Sequence, residues 1–246
     1  MNIKVQTNYE EMSKVTAEFI INYVNHKPDS LLCLAGGHTP LRTFDYLIEA
    51  AINRQVDFSE CKFVGLDEWV GLGKSVKGSC QETLYTSLFD RISISEEQIC
   101  FFNGLAEDTA VECKRVDHFI FENGKIDVIL LGIGMNGHLG FNEPNVSPDL
   151  YSHVVGLDPV TKDVSSKYFE EEVNVKQGIS LGIQHIVESD TVILIANGAK
   201  KADIVKQTVE GEKTVEVPSS LVQDLPNVHF FIDEEAASLL EKSDKE

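Results

Sequence analysis

The sequence predicts an α/β fold, an open and mostly parallel sheet with helices on both faces. Three observations carry this reading. Five short apolar runs are nearly continuous, as strands covered on both faces require. Longer segments with apolar residues every three to four positions lie between them. No repeat, low-complexity tract or composition shift marks a linker, so residues 1–246 read as one domain.

The expected strands are "SLLCLA" (30–35), "KFVGL" (62–66), "DVILLGI" (127–133), "TVILIA" (191–196) and "VHFFI" (228–232). Between the first two, "TPLRTFDYLIEAAI" (39–52) places Leu41, Phe44, Leu47, Ile48 and Ile52 on one helical face. "EDTAVECKRVDHFIFEN" (107–123) does the same with Val111, Val116, Phe119 and Ile120. The acidic end "EEAASLLEKSDKE" reads as a short helix that frays.

Bulk properties narrow the function. The formal net charge is −19, which repels nucleic-acid phosphates and offers anionic membranes nothing general. An anionic ligand would need a local exception built from a few cations and backbone N–H groups. The N-terminus lacks an apolar run after a basic start, and no segment approaches the roughly 20 apolar residues that span a bilayer. Cys33, Cys61, Cys80, Cys100 and Cys113 include no close metal-type pair, so free thiols in a reducing cytoplasm are expected.

In open parallel sheets, ligands bind outside the carboxyl ends of the strands. Four turns fall there: "GGHTP", "DEWVGLG", "GMNGHLGFNEP" and "NGAKKA". In the first, Gly36 and Gly37 allow a sharp turn and close approach, and Thr39 can cap a helix entered through Pro40. Free N–H groups at such a start favour phosphate, although a plain strand-to-helix connection would look the same. In the second, Asp67 and Glu68 are adjacent acids on extended chain, so their side chains point to opposite sides. A sheltered carboxylate there can acquire the pKa of a general base.

The third turn is the most specific. Gly132, Gly134 and Gly137 mimic a dinucleotide fingerprint, but no acid follows at the required place and "NEP" breaks the helix. His138 can donate and accept protons near neutrality, and Glu143 can orient its ring. Asn136 and Asn142 offer hydrogen bonds to hydroxyl groups. In the fourth turn, Lys200 and Lys201 stand at a helix start, against its dipole, and an anion would relieve that cost.

Together these turns resemble the glucosamine-6-phosphate deaminase (isomerase) family. The matching stretches are "GGHTP", "LDEWVGL", "GIGMNGHLGFNEP", "SSKYF" and "GAKKADIVKQTVEG", in family order over most of the chain. The resemblance implies a modified Rossmann-type sheet. It implies conversion of an amino-sugar 6-phosphate and water to the ketose 6-phosphate and ammonia, without metal or organic cofactor. It assigns C2 proton transfer to Asp67, ring opening to His138 and support of that ring to Glu143 and Asn136. Phosphate falls to Gly36, Gly37, His38, Thr39, Lys167 and Lys201. Asn136 stands where some members carry aspartate, and Lys167 where many carry arginine, a point charge replacing a bidentate fork.

"LDEW" followed by "GSC" (78–80), with Lys167, also resembles the galactosamine-6-phosphate branch. Family members range from monomers to larger assemblies, so a homo-oligomer stays open. Two rivals remain at this point: a 6-phosphogluconolactonase-like hydrolase, which shares the "GHxA" portion, and a sugar-phosphate sensor without catalysis.

Overall fold

A computed structural model describes residues 1–165, 169 and 175–241, with the side chains of 164 and 165 left out. Lys167 and most of "SSKYF" lie outside the described residues.

The elements run β1 (Asn2–Gln6), α1 (Tyr9–His26), β2 (Leu31–Leu34), α2 (Leu41–Ile52), β3 (Lys62–Val64), β4 (Asp67–Trp69), α3 (Cys80–Ser87), β5 (Ile99–Cys100) and α4 (Thr109–Glu122). Then follow β6 (Val128–Gly132), β7 (His153–Gly156), α5 (Pro159–Ser165), β8 (Gln177–Ser180), α6 (Ile183–Glu188), β9 (Thr191–Ala196), α7 (Ala202–Glu210) and β10 (Val228–Asp233). Side-chain caps define where helices start. Asn8 accepts from Glu11 N–H to open α1, and Asp108 accepts from Ala110 and Val111 to open α4.

Seven strands form a sheet in the order β1-β10-β9-β6-β2-β3-β5, every pair parallel. The five expected strands are all in it. Their continuous apolar character has the anticipated cause: alternate residues enter opposite cores. Leu31 and Cys33 of β2 pack on one face with Val192 and Leu194 of β9. Leu32 and Leu34 pack on the other with Ile193, Ile195 and the α1 residues Met12, Ile20 and Val24. From β2 the chain proceeds to β3 on one side, and β6 lies on the other. The order reverses between β2 and β6, the switch point at which open sheets bind ligands.

Two expectations fail. "DEW" is not a turn but β4, the edge of a second sheet of order β4-β8-β7, wholly antiparallel. Asp67 pairs with Ser180, which pairs in turn with His153. The C-terminal segment also forms turns rather than a helix through residue 239. Glu234 N–H bonds to Gln6 O of β1 and Ala236 N–H to the Asp233 side chain, so the segment is tied to the sheet end as a run of turns. Among the described residues, no helix is long and apolar enough to cross a membrane.

At the rim opposite the switch point, the buried Asp127 accepts from Leu31 N–H at 2.8 Å and from Lys27 at 2.5 Å, joining α1, β2 and β6. Asp127→Ala leaves a buried donor unpaired, so a loss of about 1–3 kcal/mol is expected in urea unfolding.

Candidate active site

The acid end is built on β4. Strand alternation turns Glu68 inward, where its fully buried carboxylate accepts from the N–H groups of Trp69 (2.8 Å), Cys80 (3.0 Å) and Gln81 (3.0 Å). It thereby caps the start of α3, and burial still pushes its carboxyl above the ordinary value. Asp67 takes the other side of the strand and is only partly buried. Burial pushes its carboxyl up to about 7; a hydrogen bond from the Cys80 thiol opposes this, and the Glu68 charge adds to it.

The imidazole end lies on the turn after β6. Gly134 N–H bonds back to His138 O at 3.0 Å, closing a tight loop. A Cβ on Gly134 would fall 2.4 Å from the His138 ring, so only glycine lets the ring lie against the backbone there. His138 Nδ1 stands 3.5 Å from Glu143 Oε2 and 3.2 Å from Thr161 Oγ1 of α5. Asn136 plays a double part: Oδ1 accepts from His138 N–H and Nδ2 donates to Glu143 Oε2, both at 3.2 Å. Burial alone would raise the buried Glu143 carboxyl, but the neighbouring His138 ring, the Thr161 hydroxyl and the bond from Asn136 hold it below its ordinary value. Asn142, by contrast, is turned inward and donates to Leu139 O and Leu181 O, so it ties the loop down and is not offered to a ligand.

The two ends are joined by packing. Ser180 Oγ, beside Asp67 in the ladder, accepts from Phe141 N–H at 3.1 Å and reaches Leu66 O at 3.4 Å. Gly140 fits so closely that an added Cβ would sit 2.8 Å from that hydroxyl and 3.1 Å from Leu66. The residue before the acid and the loop carrying the imidazole therefore touch.

The turn after β2 adjoins both. Ala35 N–H bonds to Leu130 O of β6, and a Cβ on Gly36 would lie 4.0 Å from Cys80 O. Gly37 takes φ +99°. Thr39 does not cap α2, which begins at Leu41 behind Pro40 with no side-chain cap. Instead the Tyr9 hydroxyl, 30 positions earlier in the chain, donates to Thr39 O at 3.0 Å and accepts from Arg42 N–H at 3.2 Å. His38 is exposed, with its carbonyl 3.3 Å from the same hydroxyl. Lys201 follows β9 and donates to Ile133 O at the end of β6; burial lowers its pKa to about 8. Its neighbour Lys200 is exposed.

The structure thus gathers His138, Asn136, Glu143 and Lys201 on or against one turn, with the Gly36–Thr39 turn and Asp67 at its flanks. Sequence reasoning missed Thr161, Ser180, Tyr9 and the anchoring role of Glu68. Only Glu68 had a local signal, the alternation that separates it from Asp67.

A family model described as glucosamine-6-phosphate isomerases/6-phosphogluconolactonase matches residues 6–230. A glucosamine-6-phosphate deaminase of Thermoanaerobacter pseudethanolicus is 37% identical over 245 residues, covering 99% of this chain and 97% of that protein. One of Clostridium botulinum is 41% identical over 242 residues, covering 98% and 99%. The solved structure of a monomeric glucosamine-6-phosphate deaminase superposes with a TM-score of 0.94 at 34% identity, covering 97% of this chain and all of that one. A 6-phosphogluconolactonase from Trypanosoma brucei shares the fold, with a TM-score of 0.75 at 21% identity and 98% coverage of both chains. The chain belongs to the glucosamine-6-phosphate isomerase/6-phosphogluconolactonase family.

Proposed function

We propose that the chain is an amino-sugar 6-phosphate deaminase, converting glucosamine 6-phosphate or its C4 epimer galactosamine 6-phosphate, with water, to the ketose 6-phosphate and ammonia. The observation that carries this is the pairing of a half-sheltered carboxyl with a pKa near 7 and a carboxylate-backed imidazole, on two segments that touch. Full-length relatives named as deaminases support the same reading. A lactonase needs no base for a C–H proton, and the tuned Asp67 would then have no task.

In this mechanism the phosphate sits on the Gly36–Thr39 turn with Lys201, and Lys167 and His38 add to the anion site. Backbone N–H groups of that turn and a cation suit a phosphate that the acidic surface otherwise repels. His138 moves a proton from the anomeric hydroxyl to the ring oxygen and opens the ring, oriented by Asn136 and Glu143. Asp67 takes the C2 proton, made acidic by the new aldehyde, and returns it to C1. The carbon–nitrogen bond becomes an imine at C2, water adds there and ammonia leaves.

Ammonia release measured side by side on the two amino-sugar phosphates tests the proposal; none from either would refute it. Asp67→Asn is expected to lower kcat by about 10²–10⁴ while substrate binding persists. The same change is expected to raise the Tm at pH 8 and not at pH 4. A carboxyl lifted from ~3.9 in the unfolded chain to about 7 costs the fold almost nothing near pH 4, destabilises it progressively between the two values, where only the unfolded chain ionises, and does so fully above about 7. For the wild type, kcat/KM is expected to rise with pH through about 7 as Asp67 ionises, and to fall above about 8 as Lys201 loses its proton. In the complex the phosphate stabilises charged Lys201, so the alkaline fall should move to higher pH in kcat.

A further inference from the structure

We propose that Thr161 is a positioning residue for the ring-opening histidine: its hydroxyl bridges His138 Nδ1 and the Glu143 carboxylate, keeping the ring in the form whose Nε2 is a free acceptor. The inference rests on the role proposed for His138.

The geometry favours a bridge over a direct bond. His138 Nδ1 and Glu143 Oε2 are 3.5 Å apart, beyond the 2.7–3.2 Å of ordinary N–H···O bonds, whereas Thr161 Oγ1 is 3.2 Å from Nδ1. The hydroxyl also faces Glu143, where it helps hold that carboxyl below its ordinary value. Chemistry then sets the direction. An ionised carboxylate only accepts, while a hydroxyl both donates and accepts. The threonine O–H therefore points to Glu143, its lone pair receives Nδ1–H, and Nε2 carries no hydrogen. A bare Nε2 is what ring opening needs first, since it must take the proton of the anomeric hydroxyl before passing it to the ring oxygen. The Nδ1 hydrogen stays in place throughout, and the bridge carries the influence of Glu143 to the imidazolium formed in between.

The surroundings reinforce the arrangement. Thr161 is 4% exposed, so water does not compete for its hydroxyl. It belongs to α5, and Asp158, just before that helix, gives its N–H to Glu143 Oε1 at 3.4 Å. Asn136 holds Glu143 Oε2 from the other side at 3.2 Å. One short segment thus covers the histidine–glutamate pair and supplies the missing link between them.

Two variants separate hydroxyl from shape. Thr161→Val keeps the branched volume and removes the bridge; Thr161→Ser keeps the bridge and removes a methyl. Nitrogen-15 spectra of the histidine rings, with His138→Gln to assign the signal, report the tautomer without substrate. The wild type is expected to show the Nδ1–H form and Thr161→Val a shift toward Nε2–H, with Thr161→Ser restoring the wild-type pattern. Turnover should follow: about a tenfold fall in kcat at unchanged KM for Thr161→Val, a part of the 10²–10⁴ that positioned proton transfer supplies, and rescue by Thr161→Ser. A His138 ring that stays in the Nδ1–H form in Thr161→Val overturns the proposal, as does a serine variant as impaired as the valine one. Absence of ammonia release from the wild type would instead strike the functional reading, and the spectra would still decide the tautomer.

Discussion

The site depends on where one buried charge is held. Glu68 lies wholly inside the protein, and three backbone N–H groups converge on its carboxylate. Buried carboxylates survive only when so paired. Here the partners come from two elements, β4 and the start of α3, so the pairing fixes them relative to each other. It also leaves Asp67 no choice of side, because neighbours on a strand face opposite ways. The arrangement has an electrostatic consequence as well. Burial is what chiefly lifts Asp67 toward neutrality and makes it a stronger base, and the negative charge one residue away adds to it.

The second constraint is the meeting of two sheets. The large sheet brings the turns after β2, β6 and β9 side by side at its switch point. It does not bring Asp67, which belongs to the small antiparallel sheet. Ser180 closes that gap, with one hydroxyl touching the residue before the acid and the amide two positions before Glu143. Gly140 allows this contact, since any larger residue would push the loop away from Leu66. Asp67 and His138 are thus held near each other by packing between layers, beyond the reach of any single segment's local propensity.

This explains what was legible in the sequence. The five central strands and the helices 41–52 and 109–122 were readable because burial on two faces and helical periodicity are local patterns. His138, Asn136 and Glu143 were readable because they share one short turn. "DEW" was misread as a turn because three residues are too few to announce a strand, and its partner strand lies more than a hundred positions away. Thr39 was misassigned as a cap because the group that engages this turn is Tyr9, from another helix. Asn142 looked like a ligand and proved to be a clamp, since composition does not tell which way a side chain turns. Thr161, 23 positions from His138, left no local trace at all.

The acidic charge of the chain makes the surroundings of its cations distinctive. Arg42, in the first turn of α2, has its guanidinium engaged by Glu10 and Asp45. Lys201 is the opposite case: it donates to a carbonyl, and burial brings its pKa down to about 8. A carboxylate partner would have stabilised the charge but would have to be displaced by each arriving phosphate. A carbonyl partner leaves the charge under-compensated, which costs stability in the empty protein and is relieved when an anion binds. In a protein of net charge −19, a cation can act selectively on an anion only where it is kept away from the many carboxylates that would otherwise neutralise it.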